Sequence, residues 1–257
     1  YAYAADNGKI DITNNVIFGN TSSRFGGGIY AYNSLLSQNT VVNNSAVSRG
    51  GGIYAVECEV VENLVQSNKA ERGAGIFAEN AHIKANSVIR NQATRMEGGG
   101  LHYFGSGVVE DNCIAGNSAG GDGECGGVYI SGNPTVRGNT IVANGGYALY
   151  IANVADAPDV IAQDNYWGAL SEQSILHMTY DWIDHDLAGL AICKPFLKDP
   201  GTGAPALPPF HLKAASRENG IELRWEEPAG VSFTGHRIYV GSESGNPYDT
   251  VVESGAE

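Results

Sequence analysis

The sequence has few cysteines, few positive charges and no long hydrophobic run. Its four cysteines show no CxxC spacing, so no zinc site is predicted. Lys and Arg number 15 against 28 Asp and Glu, and the formal net charge of −13 argues against nucleic acid and anionic membrane surfaces as partners. No apolar run is long enough to span a bilayer, and no stretch resembles a signal peptide. We therefore expect no nucleic-acid partner and no membrane insertion by this part of the chain.

Glycine and asparagine are abundant instead, and they recur in a fixed order along the first two-thirds of the sequence. A glycine-rich phrase begins at Gly26 and returns at Gly50, Gly73, Gly98, Gly126 and Gly146. Pairs of Asn five positions apart keep step with it: Asn15/Asn20, Asn39/Asn44, Asn63/Asn68, Asn86/Asn91, Asn112/Asn117 and Asn139/Asn144, with a half-match at Asn165. Successive first members are 24, 24, 23, 26, 27 and 26 residues apart, a period typical of solenoids.

Apolar residues occupy fixed columns when the repeats are aligned on the first Asn. The column two positions after it contains Ile17, Val41, Val65, Val88, Ile114, Ile141 and Trp167. Apolar and variable positions alternate over short runs rich in β-branched residues, which predicts strands and not helices. We expect three short strands and three bends in each turn, about seven turns, and one continuous core made of the inward columns.

The Asn residues are expected at the bends, because Asn tolerates positive φ and can bond to the backbone. Stacked Asn side chains form amide ladders in other cross-β structures. A structural ladder is therefore the favoured interpretation, and a ligand-binding role is the alternative.

These GGGIY and N-x-V/I-x-x-N phrases resemble the right-handed parallel β-helix family of the pectate-lyase-like superfamily. The resemblance is strongest to the repeats of polymorphic outer-membrane and other secreted surface proteins, and it covers roughly residues 1–168. It implies an all-β fold, a right-handed parallel β-helix of about seven turns followed by a cap and a partial β-sandwich. It also implies an extracellular or cell-surface location, but it says almost nothing about activity.

Four segments are predicted. Residues 1–168 form the β-helix, and because Tyr1-Ala2-Tyr3 aligns with Tyr30-Ala31-Tyr32, the chain is expected to be a fragment that begins within a turn. Residues 169–198 form a cap in which large aromatics close the core and a short helix begins near Ser171. Residues 199–208 are rich in Pro and Gly, as linkers are. Residues 209–257 resemble the start of a fibronectin type III domain, which needs about 90–100 residues, so this one is expected to be truncated.

An aromatic column is the first candidate ligand-binding surface. The residue between two inward positions of the glycine phrase should point outward, and these residues are Tyr30, Tyr54, Phe77, His102, Tyr129 and Tyr150. Strand spacing places their rings about 4.8 Å apart. An exposed row of rings can stack on sugar rings of a polysaccharide or cell-surface glycan. The favoured alternative is that the rings stack on one another and stabilise the sheet.

A column of arginines lies just before the glycines, at Arg24, Arg49, Arg72 and Arg95. It can attract the carboxylates of an acidic polysaccharide. The favoured alternative is a solvated edge, with the arginines paired to neighbours such as Glu71 and Glu97.

Enzymes with this fold, such as polysaccharide lyases, polygalacturonases and epimerases, gather carboxylates and a base on one face. Their Asn-Thr-Asp, Gly-His-Gly and Asp-Pro-His motifs are absent from this sequence. The nearest grouping surrounds an inserted bend at residues 118–124 and contains His102, Lys84, Arg95, Glu97 and Glu124, with Tyr103 expected to point inward. Each member is equally explained by exposure on its own turn, so enzymatic activity stays uncertain.

Metal and disulfide sites are weakly indicated. Asp122 and Glu124 in the inserted bend lack the full ligand set of a calcium loop, so a solvated loop is favoured over calcium. The cap contains a second cluster of potential ligands, but carboxylates bonded to turns explain it without a metal; its members are His177, Asp181, Asp184, His185 and Asp186. Cys113 and Cys125 flank the inserted bend and are either a disulfide or two free thiols.

The sequence as a whole predicts a structural or adhesive protein, secreted or at a cell surface, that recognises glycans through the aromatic column. The alternative is a lyase or glycoside hydrolase that degrades acidic polysaccharide. No cofactor is expected apart from the calcium considered above.

Overall fold

A computed structural model describes residues 2–3, 9–95, 97–120, 124–152, 158–168, 171–207, 210–217, 220–226, 235–240 and 250–255. Most of this chain is a coil of short parallel strands, a parallel β-helix. Two of its sheets each contain six strands, one from each of six complete turns. Asn165, the half-match that follows the six Asn pairs in the sequence, belongs to an incomplete turn that leads into the cap.

Four sheets run along the coil. The first contains Ala2–Tyr3, Ile29–Tyr32, Ile53–Val56, Ile76–Glu79, Leu101–Gly105, Val128–Gly132, Leu149–Ile151 and Thr179–Tyr180. The second contains Ile10–Thr13, Ser34–Ser37, Glu59–Val61, His82–Lys84, Val108–Glu110 and Thr135–Arg137. The third contains Val16–Phe18, Thr40–Val42, Leu64–Gln66, Ser87–Ile89, Cys113–Ala115 and Thr140–Val142. The fourth contains Thr21–Ser22, Ser45–Ala46, Lys69–Ala70 and Gln92–Ala93.

The fourth sheet differs from the prediction of three strands per turn. Its strands are only two residues long and belong to the first four turns. They pack through a small cluster of alanines on the inner side, namely Ala46, Ala70, Ala74, Ala93 and Ala119. The small side chains let this corner stay tight, and two-residue strands are too short for an alternation signal in the sequence.

The predicted inward columns are confirmed. Val41 and Val65 are 0% exposed and Val88 is 1% exposed, and the three residues pair in register across successive turns. The core continues without a break into the cap, where Trp167 is 2% exposed. Each turn alone has only a few apolar side chains, so the coil is stable because its turns bury one another.

The Asn ladders are also confirmed as structural. Asn63 shows the repeated pattern: its Nδ2 donates to Asn86 Oδ1 at 2.9 Å and to the Leu36 carbonyl at 2.8 Å. Its backbone N–H donates to the same Asn86 oxygen at 2.9 Å. Each buried Asn thus satisfies backbone groups at a bend that has no strand partner of its own, as buried polar groups require.

Glycine is required where the bend leads into the first sheet. A Cβ atom added to Gly52 would lie 2.7 Å from the Gly75 carbonyl oxygen and 2.8 Å from Asn68 Nδ2. Backbone from the next turn and the Asn ladder both occupy the space that a side chain would need. The recurring glycine phrase therefore marks close approach between turns.

The cap begins as expected but closes the core with fewer aromatics. A short helix, Glu172–Leu176, has Ser171 as its N-cap, and the Ser174 N–H donates to the Ser171 hydroxyl. Ile175 is 2% exposed and covers the core end together with Trp167, whereas Trp182 is 58% exposed and does not. Two further strands, Val160–Ile161 and Ala191–Ile192, pair in parallel within this part.

All four cysteines are buried free thiols, so the predicted alternative of a Cys113–Cys125 disulfide is wrong. Cys113 lies on the outer face of the third sheet, packed with Ile89 and Val142. Cys125 begins the next turn, where its backbone bridges to Gly146. Flanking the same inserted bend in the sequence therefore does not bring the two thiols together.

The C-terminal segment contains two antiparallel pairs. Phe210–Arg217 pairs with Gly220–Glu226, and Gly235–Val240 pairs with Thr250–Gly255. The resemblance of this segment to a fibronectin type III domain stays a prediction. Among the described residues, no helix has the length and hydrophobicity needed to span a bilayer.

Candidate functional site

The aromatic column forms a continuous stack along the outer face of the first sheet. Neighbouring ring centroids from Tyr30 to Tyr150 are 4.6 to 5.1 Å apart, close to the strand spacing. Tyr180 adds a further ring, 4.2 Å from Tyr150, because its strand pairs with Leu149–Ile151. The sequence analysis missed Tyr180, since it comes from the cap and not from a repeated turn.

The prediction that this column is exposed is wrong for most of its members. Tyr54, Phe77, His102 and Tyr150 are 7%, 3%, 5% and 6% exposed, respectively. Each ring has a neighbour on both faces, so only ring edges reach the surface. The column is therefore a stabilising stack, which was the alternative considered from the sequence.

Two arginines of the predicted arginine column cover aromatic rings. The Arg24 guanidinium lies 4.7 Å over the ring of Phe25, and that of Arg49 lies 4.9 Å over the ring of Phe77. Phe25 itself stacks on Tyr54 at 5.0 Å. These cation–π contacts explain part of the burial of the column.

The other two arginines of that column are paired with carboxylates. Arg72 Nε lies 2.9 Å from Glu97 Oε2, and Arg95 Nε lies 3.6 Å from Glu71 Oε2. The favoured alternative of a solvated edge with paired arginines is thus confirmed for Arg72 and Arg95. Such partly exposed pairs contribute little to stability.

A groove of about 390 Å³ lies over the middle of the column and is the candidate site. The edges of Phe77, His102 and Tyr129 form its floor. One side carries the bend residues Arg49, Arg72 and Glu97, and the other carries Glu79, Phe104 and Ser131, which follow one another in register on three strands. Phe104 is 49% exposed, so its ring is far more accessible than the buried rings of the column.

His102 is a neutral imidazole at the centre of the groove floor. Burial, with the nearby Arg72 and Arg49 guanidinium groups, lowers the pKa of His102 to about 3. Its Nδ1 is 3.6 Å from Glu97 Oε2 and has no hydrogen-bond partner among the described residues. The 2.9 Å contact between Arg72 Nε and that same oxygen is an ion pair whose angle does not make a hydrogen bond.

Tyr129, the third floor residue, is also neutral. Burial and the nearby Glu97 carboxylate raise the pKa of Tyr129 to about 12. The floor is therefore uncharged, while the sides hold two guanidinium groups and two carboxylates. The guanidinium groups can donate hydrogen bonds and the carboxylates can accept them, and their charges sum to zero.

The structure brings only two of the predicted catalytic candidates together. His102 and Glu97 meet in the groove, as described above. Arg95 lies at an exposed bend beside Glu71. The Glu124 backbone carbonyl accepts a hydrogen bond from the Tyr147 N–H at 2.8 Å, and this residue does not line the groove.

Lys84 lies on the second sheet, in a separate ionic cluster. Its ammonium group is 2.9 Å from Glu110 Oε1, and Arg137 Nη2 is 2.8 Å from Glu110 Oε2. Hydrogen bonds from Lys84 and Arg137 lower the pKa of Glu110 to about 2. Together with His82, 3.1 Å from Glu110, these residues form a charge ladder across three turns. The grouping inferred around the inserted bend is therefore not one site.

Tyr103 points inward, as predicted. It is 0% exposed, and its hydroxyl donates to the Ala81 carbonyl at 2.6 Å. Asp122 of the calcium hypothesis lies outside the described residues. In the part of the chain that the structure describes, no group of three or more His, Cys, Asp or Glu is arranged to hold a metal.

The cap carboxylates have backbone partners. Asp181 is 1% exposed and accepts hydrogen bonds from the Ile183 and Ala191 N–H groups, both at 2.9 Å. The Asp181 N–H donates to Asp184 Oδ2 at 3.2 Å. These bonds fix the cap turns, in line with the interpretation favoured from the sequence.

Comparison with known proteins supports the fold alone. The family described as "Right handed beta helix region" matches residues 47–167, just under half of the chain. No curated protein and no solved structure matches the chain. The match covers the groove and the turns from residue 47 onward, and it does not carry a specific activity.

Proposed function

We propose that this chain is an extracellular or cell-surface β-helix with a structural or adhesive role, and that it binds a saccharide in the groove over His102. The observation that carries the proposal is the state of the polar side chains on the coil. The catalytic candidates among them are paired or neutral: Lys84 is paired with Glu110, Arg95 with Glu71, and His102 is buried and neutral. A rigid coil with a shaped groove suits binding better than chemistry.

A saccharide matches the groove in three respects. Phe104 offers an exposed ring on which a sugar ring can stack. Arg49, Arg72, Glu79 and Ser131 offer donors and acceptors for hydroxyl groups around the groove floor. The volume of about 390 Å³ lies within the range of small-ligand sites. The fibronectin-like and pectate-lyase-like resemblances are consistent with a surface protein that contacts glycans.

Replacing Phe104 by Ala should weaken saccharide binding by about 3- to 10-fold, because stacking on an aromatic ring contributes about 0.5–1.5 kcal/mol. The probe is a glycan array that includes neutral and uronic-acid polymers, followed by calorimetry on the best ligand. The matched control is Ile161→Ala, since Ile161 is a similarly exposed apolar residue that does not line the groove. Equal affinity of wild type and Phe104→Ala for every ligand would refute binding in this groove.

An enzyme acting on acidic polysaccharide is the second candidate. It is favoured by the approach of Glu97, Arg72 and His102 in the groove. A neutral His102 can act as a base only if a bound substrate places the proton to be removed within hydrogen-bond distance of a ring nitrogen. The pairing of Arg72 with Glu97 argues for binding over turnover.

We expect no turnover of uronic-acid polymers, measured by the absorbance of unsaturated products and by a reducing-end assay. The reason is that the other catalytic candidates lie outside the groove. Turnover that persists in His102→Phe would point to contamination or another site. Turnover that is lost in His102→Phe but retained in Lys84→Ala would establish the enzyme and overturn the structural proposal.

A further inference from the structure

The outer face of the third sheet changes from exposed to buried along the coil. One outward column begins with Val16, 76% exposed, and reaches 0% exposure at Cys113 and Thr140. The neighbouring column begins with Phe18, 64% exposed, and falls to 3% at Val142. Side chains in one column have the same orientation, so the change requires a cover over the later turns.

The cover is the stretch that composition predicted to be a linker, together with the residues just before it. Leu197 and Leu207 pack against the cluster formed by Ile89, Cys113, Ala115, Val142 and Tyr166. We call residues 195–207 the strap. Phe196 at its start packs against the main core, whereas Leu197 and Leu207 pack on the separate outer cluster.

The strap runs back along the coil, one turn after another. The Leu197 N–H donates to the Asn165 carbonyl at 3.0 Å, at the incomplete last turn. A Cβ added to Gly201 would lie 2.8 Å from the Gly138 carbonyl oxygen, one turn earlier. A Cβ added to Gly203 would lie 2.7 Å from the Asp111 carboxylate, one turn earlier again. Both glycines thus permit close contact with the coil.

We propose that the strap is a fixed part of the β-helix that covers the outer face of the third sheet and makes the following module leave the rod from its side. A flexible linker would start at the end of the coil and would leave Cys113 in solvent. The strap instead holds the chain against three successive turns before Phe210–Arg217 begins. The rod and the following strands are joined by a docked segment, which limits the directions in which an attached module can point.

Thiol labelling tests the strap, because Cys113 lies under it. Burial raises the pKa of the Cys113 thiol to about 12, which also slows its reaction. The whole chain is treated with a maleimide, and the rate at each cysteine is followed by digestion and mass spectrometry. Cys58 is an internal control, since it is 2% exposed within the main core and does not belong to the strap cluster, by which we mean the outer residues that Leu197 and Leu207 cover. We expect Cys113 to react at least roughly 100-fold more slowly than in the urea-unfolded chain.

Leu207→Ser should loosen the strap and raise the Cys113 rate by roughly tenfold while the Cys58 rate stays unchanged. Leu187→Ser is the matched control, because Leu187 is 47% exposed in the cap and touches no part of the strap cluster. Gly201→Val provides a second route, since its Cβ would lie 2.8 Å from the backbone carbonyl oxygen of Gly138, which cannot move aside as a flexible side chain can. The proposal is overturned if wild-type Cys113 reacts as fast as in the unfolded chain. It is also overturned if both variants leave its rate unchanged or raise the Cys58 rate equally.

Discussion

Replacing Asn86 by Ala should lower the free energy of unfolding by about 3 kcal/mol or more, a large effect for a single substitution. Asn86 is 0% exposed and in the middle of its ladder. Its Nδ2 donates to the Val60 and Lys84 carbonyls at 2.8 and 2.9 Å and to Asn112 Oδ1 at 3.0 Å. Its Oδ1 accepts from both nitrogens of Asn63. Alanine would leave several of these buried groups unpaired, at about 1–3 kcal/mol each.

Asn15→Ala is the matched control, since Asn15 occupies the same column in the first turn and is exposed. Its side chain donates to Thr13 O and Asn39 Oδ1, and water can replace those bonds. We expect a loss of about 1 kcal/mol or less. The measurement is the denaturant midpoint at pH 7 for both variants. Equal losses would show that position in the ladder does not matter and that the amides act only locally.

The ladders also explain why the fold was predictable from the sequence. Asn63 and Gly52 each have to satisfy a geometric requirement at the same place in every turn, so their residue types recur with the period of the coil. The inward Val column recurs for the same reason. Because three independent columns keep one period, strand type, register and core side were all available without the structure.

The site was less predictable, because the alternation of side chains gives their direction and not their depth. Tyr54 and Phe77 do point outward, yet their neighbours in the stack bury them. Lys84 is near Glu97 in sequence but lies on the second sheet, whereas Glu97 lies in the bend that leads into the first sheet. Phe104 and Ser131 were missed as groove residues, although their place two residues after the aromatic column was a usable signal.

The strap was missed because its Pro and Gly content reports local backbone freedom and not docking. Residue type in the third sheet gave no clear signal either, because the outward column that ends in Ile89, Ala115 and Val142 begins with Phe18, which is also apolar but 64% exposed. Leu207, within the predicted linker, and Leu197, just before it, are the leucines that provide the cover.

The free energy of unfolding should decrease as the pH is lowered from 7 to 5, because His102 is held neutral in the fold. His102→Phe should remove the part of this decrease that His102 causes. The folded-state pKa of about 3 is below the ordinary value of 6.5, so between these values only the unfolded chain binds the proton. The unfolded state therefore gains stability as pH falls through 6.5, and the fold loses it. Linkage gives a loss on the order of 2 kcal/mol at pH 5.

Phenylalanine suits this position because Phe77, the neighbour in the stack, is itself 3% exposed. The free energy of unfolding is measured by denaturant titration at pH 7, 6 and 5 for wild type and His102→Phe. Relative to wild type, the variant should gain about 2 kcal/mol between pH 7 and pH 5. All other titratable groups are the same in the two proteins, so the difference between the curves reports the imidazole.

Tyr129→Phe is the matched control in the same stack. The pKa of Tyr129 is raised to about 12, so its hydroxyl stays protonated at every pH used, and its removal should shift the stability curve without changing its slope. Parallel curves for wild type and His102→Phe would show that the imidazole takes up its proton in the folded state. That result would require a groove floor that opens to water, and with it a charged His102 available to a ligand carboxylate.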